Sequence, residues 1–421
     1  MLSKLKQKLQ KEEYKRLLSN FISLSVLQGA NYILPLITFP YLVRVLGVEK
    51  FGLLAFANAT IAYFNILTDY GFNLTATREV SIYRDDKEKL IEIFSSVMTI
   101  KFILTILSLI LLTILVFSFE KFRKDAIIYY LTFGIVIGQI LFPQWFFQGM
   151  ERMKYITFLN ITAKIIFTIA IFVFIHKESD YWKVPLISSL GFIIAGILAL
   201  YIIFKDFKIK FKIQSFPTII YHLKEGWHIF ISGIFTTIYT ISTLFILGIF
   251  TNNIIVGYYS LAEKIVKAIS GLFIPINSAI FPYISNLVNK SPEQAKFFLK
   301  RITLYSSLVI GILSIFVFVF SPEIIFLISG DVFSESVIIL RILSFFPLII
   351  TIARIFSIDY LINFHYQNEL SKIYFYSAIL SLFFSFSLVP LFHAVGSALT
   401  VMFTELFATT YMYIIIKKRI L

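Results

Sequence analysis

The sequence predicts an all-α integral membrane protein with twelve transmembrane helices in two pseudo-symmetric six-helix lobes. Three observations carry this. Of 421 residues, 58% are hydrophobic and only 15% charged, against about 25% charged in an ordinary soluble domain. Uncharged runs of 18 or more residues recur at Phe51–Thr68, Gly226–Ala262, Ala268–Asn289, Ile302–Pro322 and Ile373–Thr404. About 20 apolar residues cross a bilayer's hydrocarbon core, and these runs lack the alternation of barrel strands. Third, "FGLLAFANATIAYFNIL" from Phe51 is echoed by "VGYYSLAEKIVKAISGL" from Val256, so that Gly52 and Gly257 stand 205 residues apart. An even number of helices in each half makes the halves parallel repeats, a layout of many transporters.

In chain order, residues 1–18 form a basic tail, too polar for a targeting core, with Leu2, Leu5 and Leu9 on one helical face. That face either lies on the membrane surface or is a solvated cytosolic tail. The first lobe, 19–204, holds spans near 19–43, 52–75, 93–117, 126–147, 155–175 and 184–204. Pro35 and Pro40 are expected to bend the first span. Asp85 with Glu88 reads as a capping pair for the third. Residues 205–225 form a cytosolic linker whose stretch "FKDFKIKFKIQSFP" reads as a basic amphipathic segment rather than a strand. The second lobe, 226–421, holds spans near 227–250, 257–285, 302–320, 335–358, 373–390 and 395–416. Ser291 with Pro292 marks an N-cap with proline at the first helical position. The longest outer loop is expected at 321–334.

The net charge of +14 is sided. With the amino terminus in the cytosol, the inner loops and tails hold 24 Lys and Arg and the outer loops six. This bias places both termini in the cytosol and turns the basic excess toward anionic lipid, not nucleic acid. Eight bases remain inside or at the ends of spans: Arg44, Arg78, Lys101, Lys164, Lys264, Lys267, Arg341 and Arg354. Five acids accompany them: Asp69, Glu79, Glu263, Asp359 and Glu405.

Asn58, Asn65 and Asp69 share one face of the second span, and Asn73 continues the row. Lipid cannot satisfy such a stripe, so it faces protein or water. Intramembrane charge is costly and reads as functional by default. The bland alternative, snorkelling to an interface, stays open for Asp69 and Arg78. In the eighth span Glu263 and Lys267 can pair at i, i+4, leaving Lys264 without an obvious acidic partner. Thr236, Thr240 and Thr243 form a stripe that is either helix–helix contact or ligand contact. Gln28 and Asn31 are polar candidates in the first span. The surplus of bases suits an anionic cargo, and Arg suits phosphate in particular. The candidate cargo contacts are therefore Arg78, Lys264, Lys267, Arg341, Arg354, Asn58, Asn65, Asn31 and Thr240, and the candidate ion-coupling residues Asp69 and Glu263.

The chain has no cysteine, no GxxxxGK[ST] loop and only five scattered histidines. Disulfides, thiol nucleophiles, Cys-ligated metals and a P-loop ATP site are thereby excluded, and no metal or cofactor is expected. Short outer loops argue against a glycan polymerase or ligase, which needs a placed acid and base.

"YLVRVLGVEKFGLLAFANATIAYFNILTDYGFNLTATREVS", "FPQWFFQGMERMKYIT", "LKEGWHIFIS", "LGIFTNNIIVGYYSLAEKIVKAI" and "FPYIS" resemble the polysaccharide-transport branch of the multidrug/oligosaccharidyl-lipid/polysaccharide exporter superfamily. They are most similar to its Wzx-type O-antigen flippases. The resemblance covers nearly the whole chain. It implies a V-shaped, MATE-like transporter in the bacterial inner membrane, working by alternating access and driven by a proton or sodium gradient as an antiporter. The implied cargo is an oligosaccharide repeat unit on undecaprenyl diphosphate, moved from the cytosolic to the outer leaflet. The implied partners are the bilayer, a glycan polymerase and chain-length machinery. A peptidoglycan precursor shares the charge logic. A cationic drug would want buried carboxylates instead.

Overall fold

The protein is described by a computed structural model, which covers the backbone of residues 2–271 and 274–421 and the side chains of residues 23, 26–31, 34–271, 280–281 and 283–421. The face expected for Leu2, Leu5 and Leu9 concerns side chains outside these. Among the described residues the chain is helical and carries no strand. The helices are α1 (Leu2–Asp69), α2 (Phe72–Ile82), α3 (Lys87–Ser118), α4 (Glu120–Arg123), α5 (Ala126–Leu141), α6 (Gln144–Gly149), α7 (Met153–Phe174) and α8 (Lys183–Lys205). After the connector come α9 (Phe216–Phe250), α10 (Asn253–Gly271), α11 (Ile274–Lys290), α12 (Pro292–Val319), α13 (Ser321–Ser329), α14 (Ser334–Leu343) and α15 (Phe346–Arg354). A π-helical segment, Ile355–Ile362, leads to α16 (Gln367–Arg419). Nine stretches among the described residues are long and apolar enough to cross a membrane. Two of them, in α1 and α16, each run through a non-helical residue, Gly47 or His393, and α10 with α11 occupies the predicted eighth span. The order accommodates twelve spans.

The local corrections are physical. The break in α1 falls at Gly47, with φ 73, a value open to glycine. Pro35 and Pro40 keep helical backbone. The second span ends at Asp69 rather than running to residue 75, because Tyr70 (φ 50) and Gly71 (φ 80) are left-handed. Asn73 therefore lies beyond the break and does not continue the row. The cap of α3 is Asp86, not Asp85: its carboxylate accepts from the amides of Glu88 and Lys89 at 3.0 and 3.1 Å. Ser291 and Pro292 sit at the start of α12 as expected. The predicted outer loop at 321–334 contains the helix α13. Residues 206–215 form no strand, and the Lys212 amide donates to Ser95 Oγ at 3.0 Å.

The chain forms two compact units, Met1–Pro35 with Thr60–Ile234, and Leu36–Ala59 with Phe235–Leu421. The linker thus groups with the first unit, and residues 36–59 with the second. In the first unit α5 packs on α8, α7 on α8 and α2 on α6. Its core centres on Phe94, Trp145, Phe146 and Phe147, all fully buried. The motif "FPQWFFQG" is thus a packing element. In the second unit α10 packs on α14, and α15 on both α12 and α16. Its buried residues include a core of Ile284, Leu299, Ile355, Leu361 and Met412.

Residues 36–59 join the second unit through close backbone contact. A Cβ on Gly52 would stand 1.9 Å from the Asn253 carbonyl oxygen and 2.6 Å from the Gly257 nitrogen. Phe56 fills the space above Gly248, where a Cβ would lie 2.1 Å from its ring, and stacks on Phe245 with centroids 5.8 Å apart.

Candidate functional site

In the first unit both acids inside spans, Asp69 and Glu79, have a basic partner. Lys101 of α3 reaches Asp69 at the end of α1, Nζ to Oδ1 3.3 Å, with 6% of its side chain exposed against 32% for Asp69. An isolated buried ammonium would cost several kcal/mol, so the acid at this depth is the partner that the base of α3 requires. The turn after Asp69 is fixed by the first part of α9. Tyr70 stacks on Phe230 with centroids 4.6 Å apart, and a Cβ on Gly71 would lie 2.7 Å from Ile229. The motifs "TDYGFNLTATREVS" and "LKEGWHIFIS" are therefore one packed joint. Further along α2, Glu79 Oε2 sits 3.1 Å from His222 Nδ1, with His222 only 4% exposed. Arg84 ties the turn after α2 to the turn after α6, bonding Glu151 at 2.9 Å and the Gly149 carbonyl at 3.2 Å. Lys164 of α7 donates to the Asn31 side-chain oxygen. Asn65 holds a buried Oδ1 with no partner among the described residues. Arg78 is exposed on α2.

The second unit is arranged differently. Glu263 and Lys267 pair as expected, at 2.8 Å. Lys264, next to them, lies over the rings of Phe51 and Phe39 at 4.6 and 5.4 Å from their centroids, while its residue surface stays open. Aromatic faces attract an ammonium without neutralising it. Arg341 of α14 donates from Nε to Ser321 Oγ at 3.0 Å and rests near the Phe318 ring. Arg44 donates to the carbonyls of Leu327 and Ile328. Arg44, Lys164, Lys264 and Arg341 thus have neutral groups as their direct partners. Arg354 lies at the end of α15 within electrostatic reach of Glu405 on α16, and Tyr239 of α9 hydrogen-bonds that carboxyl.

The polar stripes resolve into separate roles. Thr240 donates to the Thr236 carbonyl on its own helix at 2.8 Å, while Thr243 meets Ser385 of α16 at 3.4 Å. The Thr243 end of that stripe is helix contact. Asn58 is exposed and bonds the Leu54 carbonyl at 2.8 Å. Of the predicted residues, Asp69 thus lies beside Lys101 in the first unit, and Glu263, Lys264 and Lys267 lie together on α10 in the second. Reading the sequence did not find the Phe39–Lys264–Phe51 arrangement, the Glu79–His222 pair or the Tyr239–Glu405 bond. Each joins residues far apart in the chain. Lys264, Glu79 and Glu405 were marked in the sequence, but their partners Phe39, Phe51, His222 and Tyr239 were not.

Comparison with known proteins follows the same line. Residues 17–288 match the family described as "Polysaccharide biosynthesis protein". A curated relative from Escherichia coli (strain K12), named "Putative O-antigen transporter", is 33% identical over 399 residues, covering 95% of this chain and 96% of its own. Among solved structures, an inward-facing multidrug resistance MATE family transporter of the MOP superfamily aligns with a TM-score of 0.74 at 12% identity, covering 94% of this chain and 98% of its own. The lipid II flippase MurJ in its inward closed conformation aligns with a TM-score of 0.70 at 14% identity, covering 95% and 87%. The fold is therefore that of the MATE and MurJ transporters, and the chain belongs to the polysaccharide biosynthesis protein family.

Proposed function

We propose that this protein is a flippase that carries an oligosaccharide repeat unit, linked to undecaprenyl diphosphate, from the cytosolic to the outer leaflet of the bacterial inner membrane. The observation that carries this is the set of bases at span positions held by neutral partners, above all Lys264 over Phe39 and Phe51 and Arg341 on Ser321. A positive side chain without a neutralising carboxylate is costly in a membrane, and an anionic cargo offsets that cost. A diphosphate supplies the anion, the hydroxyl and amide side chains suit its sugars, and the polyprenyl chain needs only lipid. The curated relative's name supports the O-antigen class of cargo. The fold shared with MurJ and MATE transporters supports alternating access. A proton or sodium gradient is the energy source in this reading. Asp69 and Glu263, the residues expected to couple to it, each hold a lysine.

The test is cellular. Cells lacking the protein should accumulate completed repeat units on their carrier at the cytosolic face. The wild-type chain should clear them, and a K264A/R341A double variant at equal membrane level should not. Clearance by the double variant at the wild-type rate would remove the basis for the reading.

A further inference from the structure

The connector "FKDFKIKFKIQSFP" takes no part in the candidate site. It joins two stretches long and apolar enough to cross a membrane, Glu178–Lys205 and Phe216–Phe250, so residues 206–215 lie at a membrane surface. The first half of the connector is packed. Phe207 meets the rings of Phe146, Phe147 and Tyr155 with centroids 5.3, 6.1 and 6.1 Å apart, and Ile209 is 2% exposed in the core of the first unit. The backbone is held as well. The Ile209 amide donates to the Ile203 carbonyl at 3.4 Å, and the Lys212 amide to Ser95 Oγ at 3.0 Å. The second half is bare: Phe211 is 53% exposed, Ile213 93%, and Phe216 at the start of α9 74%. Lys208, Lys210 and Lys212 alternate with these apolar residues and are exposed. Their ammonium groups have no partner among the described residues. Asp206, the one acid of the stretch, lies at its packed start and accepts from the Tyr155 hydroxyl at 3.4 Å.

We infer that the connector is an anchor for anionic phospholipid. Phe211 and Ile213 enter the interfacial layer of the bilayer, and Lys208, Lys210 and Lys212 bind lipid phosphates beside them. Bulky apolar residues exposed on a fixed backbone mark a contact surface. Lipid is the occupant for three reasons. The connector leaves one candidate span and enters the next, which holds it at the level of the head groups. Bases alternating with apolar side chains fit a boundary where phosphates and acyl chains both lie within one side-chain length. The bases are unmatched by carboxylates beside them, and an anionic leaflet attracts each one. Ile209 and the Lys212 amide transmit the contact to the first unit, so bound lipid steadies that unit at the end of α8. The anchor acts without cargo and does not rest on the cargo reading.

The chain has no cysteine, so a single nitroxide at I213C labels the full-length protein. It is reconstituted in liposomes of phosphatidylglycerol or of phosphatidylcholine, without polyprenyl lipid. Electron paramagnetic resonance then reads collisions of the label with oxygen and with a neutral nickel chelate. In phosphatidylglycerol the label should be reached by oxygen and shielded from the chelate. In phosphatidylcholine, and in phosphatidylglycerol with K208Q/K210Q/K212Q, collision with the chelate should rise severalfold. A label at E178C, an exposed site at the other end of the preceding stretch, should read the same in both lipids. Equal chelate collision at 213 in the two lipids overturns the inference, because lipid charge is then not what is recognised. Shielding that survives the triple variant overturns it too. Shielding from both reagents in both lipids overturns it in favour of a protein surface over the connector. The comparison between lipids uses one labelled protein, so it decides the matter even where the triple variant fails to fold.

Discussion

Gly52 and Gly257 meet as equivalent residues of two repeats. A Cβ on Gly52 would strike the carbonyl of Asn253, and a Cβ on Gly257 would strike the carbonyl of Val48, at 1.9 and 2.2 Å. Positions 48 and 253 differ by the same 205 as positions 52 and 257, so each glycine faces the carbonyl four residues before its counterpart. Such reciprocity is the signature of a two-fold contact, residue i on j and j on i. The repeat read from the sequence thus meets itself at this crossing.

Substituting either glycine with alanine should therefore cost similar amounts. Both G52A and G257A push a methyl group into backbone, which cannot move aside as a side chain can. The expected loss is about 1–3 kcal/mol, the usual range for overpacking. Thermal unfolding in detergent checks it, with a midpoint lowered to a similar degree in both variants. A neutral G52A would mean that the helices are not in this contact.

The pair of Asp69 and Lys101 makes a separate prediction. D69N leaves the Lys101 ammonium buried without its counter-charge, and breaking a buried pair costs about 3–5 kcal/mol. The partial exposure of Asp69 puts the expected loss at the low end. D69N/K101M should regain most of the stability. Folded protein recovered by size-exclusion chromatography separates the cases. If D69N folds as wild type but stops glycan export, Asp69 acts in coupling rather than as a partner for Lys101.

Trp145 gives a third. Its side chain is fully buried between Phe94 and Phe146, and large aromatic truncations in cores cost about 3–5 kcal/mol. W145A should lower the amount of folded protein in the membrane, leaving the export rate per remaining molecule near that of the wild type.

For Lys264 the expectation is reversed. K264A removes a charge held by ring faces, so stability should change little. Hydrogen bonds to charged groups contribute about 1.5–3 kcal/mol, which corresponds to roughly tenfold to hundredfold weaker lipid-diphosphate binding. Binding by reconstituted protein at two salt concentrations tests both parts, and K264R should retain most of the affinity.

The fold was legible because membrane burial writes itself in composition: long uncharged runs, sided Lys and Arg, and a repeat anchored at Gly52 and Gly257. Helix ends were less legible. The stop at Asp69 depends on Tyr70 accepting a left-handed backbone while stacked on Phe230, a contact 160 residues away in the chain. The Glu263–Lys267 pair could be read because it is local to one helix. Lys264 on Phe39 and Phe51 could not, since an aromatic partner in an aromatic-rich membrane chain carries no sequence mark. Tyr239 with Glu405 failed for the same reason: neither residue type nor spacing relates them before the helices pack.

The central claim is that cationic side chains recognise the diphosphate of a lipid-linked glycan. Its most direct test is translocation in liposomes reconstituted with the full chain. One preparation carries an oligosaccharide repeat unit on undecaprenyl diphosphate, and a second carries the same sugars on the uncharged polyprenol. Lectin accessibility on the opposite leaflet reports transfer. The account predicts rapid transfer of the diphosphate-linked glycan and background transfer of the uncharged one. Equal rates for the two would contradict it.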